Sequence, residues 1–217
     1  MGRVRQRRRS DGFAAAGGLL VLAAGMLAVR DGTVSDVEES AFRAVNDLPD
    51  ALYPLLWPFQ QLGVLVVGPI VAIIALLLRR PRLAIAALVA TLAKLWLERV
   101  VKSMVSRERP GTSVGEIHDR GDVPLRGESF VSGHAVLVAA LACLIAPYLH
   151  GRWKVVPWAA IVLVMVGRVY VGAHNPLDVI CGAGLGVAIG SLLNLIVGVP
   201  VGARPRHERQ TAPVELE

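Results

Sequence analysis

Lys102-Ser-Met-Val-Ser-Arg-Glu-Arg109-Pro110, Ser132-Gly133-His134 and Arg168-Val-Tyr-Val-Gly-Ala-His174-Asn-Pro-Leu-Asp178 each place polar or ionisable side chains at the end of a long apolar run. Charge beside hydrocarbon is costly, so ionisable residues in such places are functional suspects by default. The runs themselves decide the fold class. The chain has 217 residues, 54% of them hydrophobic and 18% charged. Uncharged stretches of about 20 residues recur, the length that crosses a bilayer as helix. The expectation is an all-α integral membrane protein with six transmembrane helices in one bundle.

In chain order, residues 1–12 form a basic N-terminus with Arg3, Arg5, Arg7, Arg8 and Arg9, and residues 13–199 form the membrane domain. The spans are expected at about Phe13–Val29, Leu62–Leu78, Leu83–Val101, Phe130–Leu149, Val155–Val169 and Leu177–Val199. The first is too long for a signal-peptide core and is read as retained. Between the first two, Val37, Ala41, Ala44, Val45 and Leu48 recur at helical spacing. They mark either an amphipathic helix on the membrane surface or a solvated connector, with Tyr53 and Trp57 as interfacial anchors. Lys94 and Glu98, four apart in the third span, share a helix face and can pair, as structural support or beside the site. Gly182, Gly186 and Gly190 repeat every four residues, a seam for close helix packing within or between chains. Cys143 and Cys181 lie inside apolar runs, as buried small hydrophobes rather than a disulfide. The polar tail, residues 200–217, is expected to be disordered.

The net charge of +6 raises the possibility of nucleic acid, but the arginines cluster in short segments between apolar runs, which is a topology signal. The N-terminus, the turns at 79–82 and 150–154 and the tail hold 13 Lys and Arg; the opposite segments hold 8. Both termini are therefore expected in the cytoplasm, with a cell-membrane location and the motif region, residues 102–178, at the extracytoplasmic ends of its spans.

There the side chains read as phosphate chemistry. Lys102, Arg109 and Arg168 supply cations for a multiply charged anion. Lys102 and Arg109 are two helical turns apart if the helix continues, although Pro110 disfavours helix at Arg109. Ser132 offers a hydroxyl, Gly133 a free N–H at a helix start with room for close approach, and His134 a proton donor or acceptor. Asp178, one turn after His174, can orient that imidazole as a nucleophile.

On these residues the chain resembles the type 2 phosphatidic acid phosphatase superfamily, shared by membrane lipid phosphatases and soluble vanadium haloperoxidases. The family pattern is lysine, six residues, Arg-Pro; Pro-Ser-Gly-His; and Ser-Arg, five residues, His, three residues, Asp. Lys102, Arg109 and Pro110 complete the first part. Val131 replaces the proline of the second, and Gly167 the serine of the third. The resemblance implies a phosphohydrolase that needs no metal or other cofactor and works through a phosphohistidine. His174 would be the nucleophile, Asp178 its orienting partner and His134 the acid and then the base. Lys102, Arg109, Arg168, Ser132 and Gly133 would hold the phosphoryl oxygens.

The implied substrate is a phosphorylated membrane lipid: phosphatidic acid, phosphatidylglycerophosphate, or a polyprenyl phosphate or diphosphate. The loop at 111–129 is too short for a lid domain, so the lipid is expected to enter sideways between helices. Lipid phosphotransfer and silent lipid binding are the alternatives. A haloperoxidase is disfavoured by the six spans.

Overall fold

The computed structural model describes residues 5–121 and 123–200. The tail expected to be disordered lies, from residue 201 on, outside the described residues. Its first residue does not: Val199–Pro200 (β2) pairs antiparallel with Arg5–Gln6 (β1), tying the two ends of the described chain together.

Among the described residues there are nine α-helices, the longer of which follow the apolar pattern. They are α1 (Arg9–Ala28), α2 (Asp36–Asn46), α3 (Tyr53–Gln60), α4 (Val67–Leu77), α5 (Pro81–Met104), α6 (Pro110–Ser113), α7 (Gly133–Ile145), α8 (Val156–Tyr170) and α9 (Pro176–Val197). Each of the six expected spans is mainly helical, but they are not equivalent. On length and composition, the helices at Arg9–Ala28, Gly151–Tyr170 and Pro176–Val197 can cross a membrane. A fourth span arises if Asp50–Gly63 and Val67–Leu77, bent by 70° at their junction, count as one. The remaining two differ for physical reasons. Helix α5 carries Arg82, Lys94, Glu98, Arg99 and Lys102, and the apolar helix Gly133–Tyr148 is short.

That short helix is the centre of the protein. Every residue of α7 from Ala135 to Leu144 is buried. Helix α9 lies directly on it, and the glycine seam is the reason. A Cβ at Gly182 would stand 2.7 Å from the Ser132 carbonyl oxygen, and one at Gly186 would collide with the Val136 carbonyl. At Gly190 the Cys143 Cβ is 2.7 Å away. The seam therefore packs within the chain, where missing side chains let two backbones approach closely. The other face of α9 meets α1, and a Cβ at Gly184 would be 2.9 Å from the Gly18 carbonyl. Cys143 and Cys181 are free and buried, as expected.

Two local expectations change. The amphipathic segment is helical, capped by Ser35 accepting from the Glu38 N–H at 3.3 Å. It does not lie free on a surface: Phe42 is fully buried, and α2 packs against α8 and α9. The face it turns to the bundle is Glu38, Phe42 and Asn46, whereas Val37, Ala41, Ala44 and Leu48 of the expected stripe are exposed. The second span begins at Val67 rather than Leu62, because the chain first makes α3 and a 3-10 turn at Gln61–Gly63. Tyr53 and Trp57 consequently line a cavity at that end instead of serving only as anchors.

Gly186→Ala should lower the thermal midpoint in detergent micelles, because its methyl group meets backbone that cannot swing away. Gly17→Ala, in open space on α1, should leave the midpoint unchanged or raise it through helix propensity, worth about 1 kcal/mol.

Candidate active site

Helix α5 ends at Met104, and the chain then runs extended before Arg109 caps the short α6. Lys102 and Arg109 are thus brought together by a turn, not by a shared helix face. They line one cavity of about 550 Å³ with Gly133, His134, Arg168 and His174. Five separate segments converge there because α5 ends, and α7 and α9 begin, at the same end of the bundle. Helix α9 is about 33 Å long at 1.5 Å per residue, so the paired termini at its far end lie well away from this cavity.

The other two expected residues stand behind the wall. Asp178 is completely buried, and its Oδ2 lies 3.6 Å from His174 Nδ1, just beyond hydrogen-bond length. The same oxygen accepts from the Asn175 N–H at 2.8 Å, closing the first turn of α9. Ser132 is also fully buried, and its hydroxyl has no hydrogen-bond partner among the described residues. Its N–H donates to the Asp178 carbonyl at 3.0 Å, which joins the start of α7 to the start of α9. The room at Gly133 serves a different purpose from the one expected. The Glu98 carboxylate presses on it, and a Cβ would also stand 2.8 Å from Lys94 Cε.

That carboxylate belongs to a ladder on α5. Glu98 pairs with Lys94 at 2.7 Å and with Lys102 at 2.9 Å. The pair foreseen in the third span is therefore a triad on the cavity wall, with Lys102 held by Glu98. Arg109 donates to the Ala173 carbonyl at 2.7 Å, immediately before His174. Burial lowers its pKa, opposed by the Asp178 and Glu98 charges. Arg168 is buried; its Nη1 donates to Gln60 Oε1 at 3.1 Å, and its Nε has no partner among the described residues. Gly63, in the turn after α3, packs against the His134 ring, where a Cβ would be 2.6 Å from the His134 Cβ.

The largest omission of the sequence reading is Arg107. This guanidinium is 1% exposed and bridges two buried acids. Nη1 donates to Asp178 Oδ1 at 2.8 Å, and Nη2 pairs closely with Glu38 Oε2 of α2. Glu38 Oε1 in turn accepts from the Leu177 N–H at 2.9 Å, at the start of α9. Burial works against the charge on Arg107, but the two carboxylates outweigh it and raise its pKa. The available signal was weak: an arginine between Lys102 and Arg109, and an acid on the first turn of an amphipathic helix.

His174 is 3% exposed, and burial pushes its pKa down to about 4, with Arg168 and Arg109 adding to the effect and Asp178 opposing it. At neutral pH the imidazole is uncharged and keeps a lone pair.

The profile of the PAP2 superfamily matches residues 83–199, more than half the chain and all of the motif region. The chain belongs to the PAP2 superfamily. Among curated relatives, a lipid A 1-phosphatase of Rhizobium johnstonii is 38% identical over a match covering 46% of this chain and 42% of that protein. The match thus spans less than half the length of that relative. Two solved structures share the fold, each at 21% identity. They are LpxE of Aquifex aeolicus, with TM-score 0.68 over 74% of this chain and 98% of that one, and a transmembrane PAP2-type phosphatidylglycerolphosphate phosphatase of Bacillus subtilis. The second has TM-score 0.70 over 84% of this chain and 94% of that one.

Two outcomes follow from this geometry. Arg107→Ala strands two buried carboxylates and should destabilise the protein by about 3–5 kcal/mol, read as a fall in the unfolding midpoint in micelles. Histidine-ring NMR, assigned with His174→Gln, should show His174 titrating near pH 4 rather than at the ordinary value of about 6.5. Because the folded pKa lies below the unfolded one, the stability contribution of neutral His174 is present above about pH 6.5 and is lost as pH falls towards 4.

Proposed function

We propose that this chain is a membrane phosphohydrolase acting on a phosphorylated lipid. The observation that carries the reading is one cavity lined by His174, His134, Lys102, Arg109 and Arg168, with the buried Asp178 behind His174. Phosphoryl transfer mostly needs positioned positive charge around the equatorial oxygens and an in-line nucleophile.

In this mechanism the phosphoryl oxygens lie among Lys102, Arg109 and Arg168, with the N–H groups at the start of α7 from Gly133 onward. An incoming phosphate competes with Glu98 for Lys102. His174 Nε2 attacks phosphorus as the bond to the lipid oxygen breaks, and His134 gives that oxygen its proton. Asp178 accepts a hydrogen bond from Nδ1–H, moving into hydrogen-bond distance as the ring charges, and so stabilises the positive charge that develops on the imidazole. Water, deprotonated by His134, then attacks the phosphohistidine, releasing inorganic phosphate and restoring both histidines. Ser132, buried with an unspent hydroxyl, supports the loop from below or turns towards the phosphate once it is bound.

The substrate class is a phosphomonoester or diphosphate on a lipid: phosphatidic acid, phosphatidylglycerophosphate or a polyprenyl (di)phosphate. The name of the Rhizobium johnstonii relative, lipid A 1-phosphatase, adds lipid A phosphate to that group. We read the six apolar segments as six spans, with α3 and α4 forming a bent second one, α7 sheltered inside the bundle and α5 at its edge, where Ile85, Leu92 and Trp96 face outward. Both termini are then cytoplasmic and the cavity faces the extracytoplasmic side, in line with the excess of Lys and Arg on the segments next to the termini. The lipid enters sideways from the bilayer.

The purified full-length protein in micelles, with a chelator present, should release phosphate from at least one of these lipids, and His174→Ala should abolish release. Label from a 32P-lipid should be trapped in acid-labile form on the wild type alone. Undiminished release by His174→Ala would sink the mechanism, and transfer of label to an added lipid instead of water would identify a transferase.

A further inference from the structure

Gly167 stands where the superfamily motif carries a serine, and its place in the fold is tightly occupied. A Cβ there would be 2.9 Å from Gln60 Cγ, 3.4 Å from Cδ and 3.8 Å from Nε2. All three atoms lie beyond the Gln60 Cβ, so the end of this one side chain fills the space that a serine side chain would enter. Gln60 sits at the end of α3, is 5% exposed and lines the cavity. Its Oε1 accepts from Arg168 Nη1 at 3.1 Å. That bond settles the orientation of the amide: the oxygen faces the guanidinium, which can only donate, and the NH2 group is left over. Among the described residues no other side chain hydrogen-bonds to the Arg168 guanidinium, and its Nε has no partner at all.

We propose that Gln60 is a positioning residue of this site and a local substitute for the missing motif serine. It packs into the notch left by Gly167 and holds the Arg168 guanidinium through Nη1. The guanidinium is thereby held at the cavity wall, with donors not taken by Gln60 to offer a bound phosphoryl group. The two positions form an exchangeable pair: glycine at 167 requires the long amide at 60, and serine at 167 requires a short side chain there. The bent α3–α4 junction delivers Gln60, which gives the kink a role in the site beyond spanning. The inference rests on the reading of the cavity as a phosphate site.

The test is a mutant cycle on the purified full-length protein, read in two ways. Binding of inorganic phosphate is followed by calorimetry, which needs no turnover, and phosphate release from the best lipid substrate is followed in parallel. Gln60→Met keeps the packing and removes the acceptor. It should weaken phosphate binding about tenfold, the scale of one hydrogen bond to a charged group, with an unchanged unfolding midpoint. Gly167→Ser alone should displace the amide and lose at least as much. Gln60→Ala/Gly167→Ser should bind better than Gly167→Ser, a non-additivity that two independent sites would not show. Wild-type affinity in Gln60→Met, or a double variant that binds no better than Gly167→Ser, would overturn the proposal. If the wild type binds phosphate but hydrolyses no lipid, the enzymatic reading fails while the binding arm still decides the role of Gln60.

Discussion

One buried guanidinium holds the working end of this protein together. Arg107 follows the end of α5, Glu38 is on α2 and Asp178 is on α9, and the two acids meet on that one cation. Separately, each would be an ionised group removed from water, which costs several kcal/mol. Together they are mutually compensated, and Glu38 also takes a free N–H at the start of α9. Asp178 must face His174, so its second oxygen cannot be left to wander; Arg107 fixes it. The same interaction that closes the fold thus sets the aim of the imidazole. This ties stability to function at one point, a typical cost of keeping ionised groups inside a bundle.

Beneath that network, the geometry depends on how closely α9 can approach α7. The glycines at 182, 186 and 190 bring the two helices into backbone contact, and the Ser132 N–H consequently bonds to the Asp178 carbonyl. The starts of α7 and α9 are therefore one unit. His134 belongs to one helix and His174 immediately precedes the other, so their placement is inherited from interior packing rather than from loop conformation. Two abutting helices fix the relative positions of two imidazoles more rigidly than a loop would.

Much of this was legible beforehand. The apolar runs gave the helices, the four-residue glycine repeat gave the seam, and Lys102, Arg109, His134, Arg168 and His174 were placed on one cavity by spacing and by the end of the span each occupies. The errors were of one kind. The second span was drawn as a single straight helix because hydropathy averages over the turn at Gln61–Gly63. Gly133 was read as space for an anion, but Glu98 takes that space. Ser132 was placed on the phosphate; its hydroxyl is buried and without a partner among the described residues, which spacing along the chain did not indicate.

The sequence alone determined the class of protein, the end of the bundle where the chemistry sits and the residues expected to do it. Those properties are carried by local periodicity and by motif spacing along the chain. Only the tertiary structure decided what holds those residues in place. Glu38 is 69 residues from Arg107, and Gln60 is 108 residues from Arg168. Neither residue type is unusual where it stands: an acid opening an amphipathic helix and an amide after an aromatic turn look like ordinary surface polarity. What gives each its role is the charge that faces it once the chain has folded, and no pattern along the sequence records that pairing.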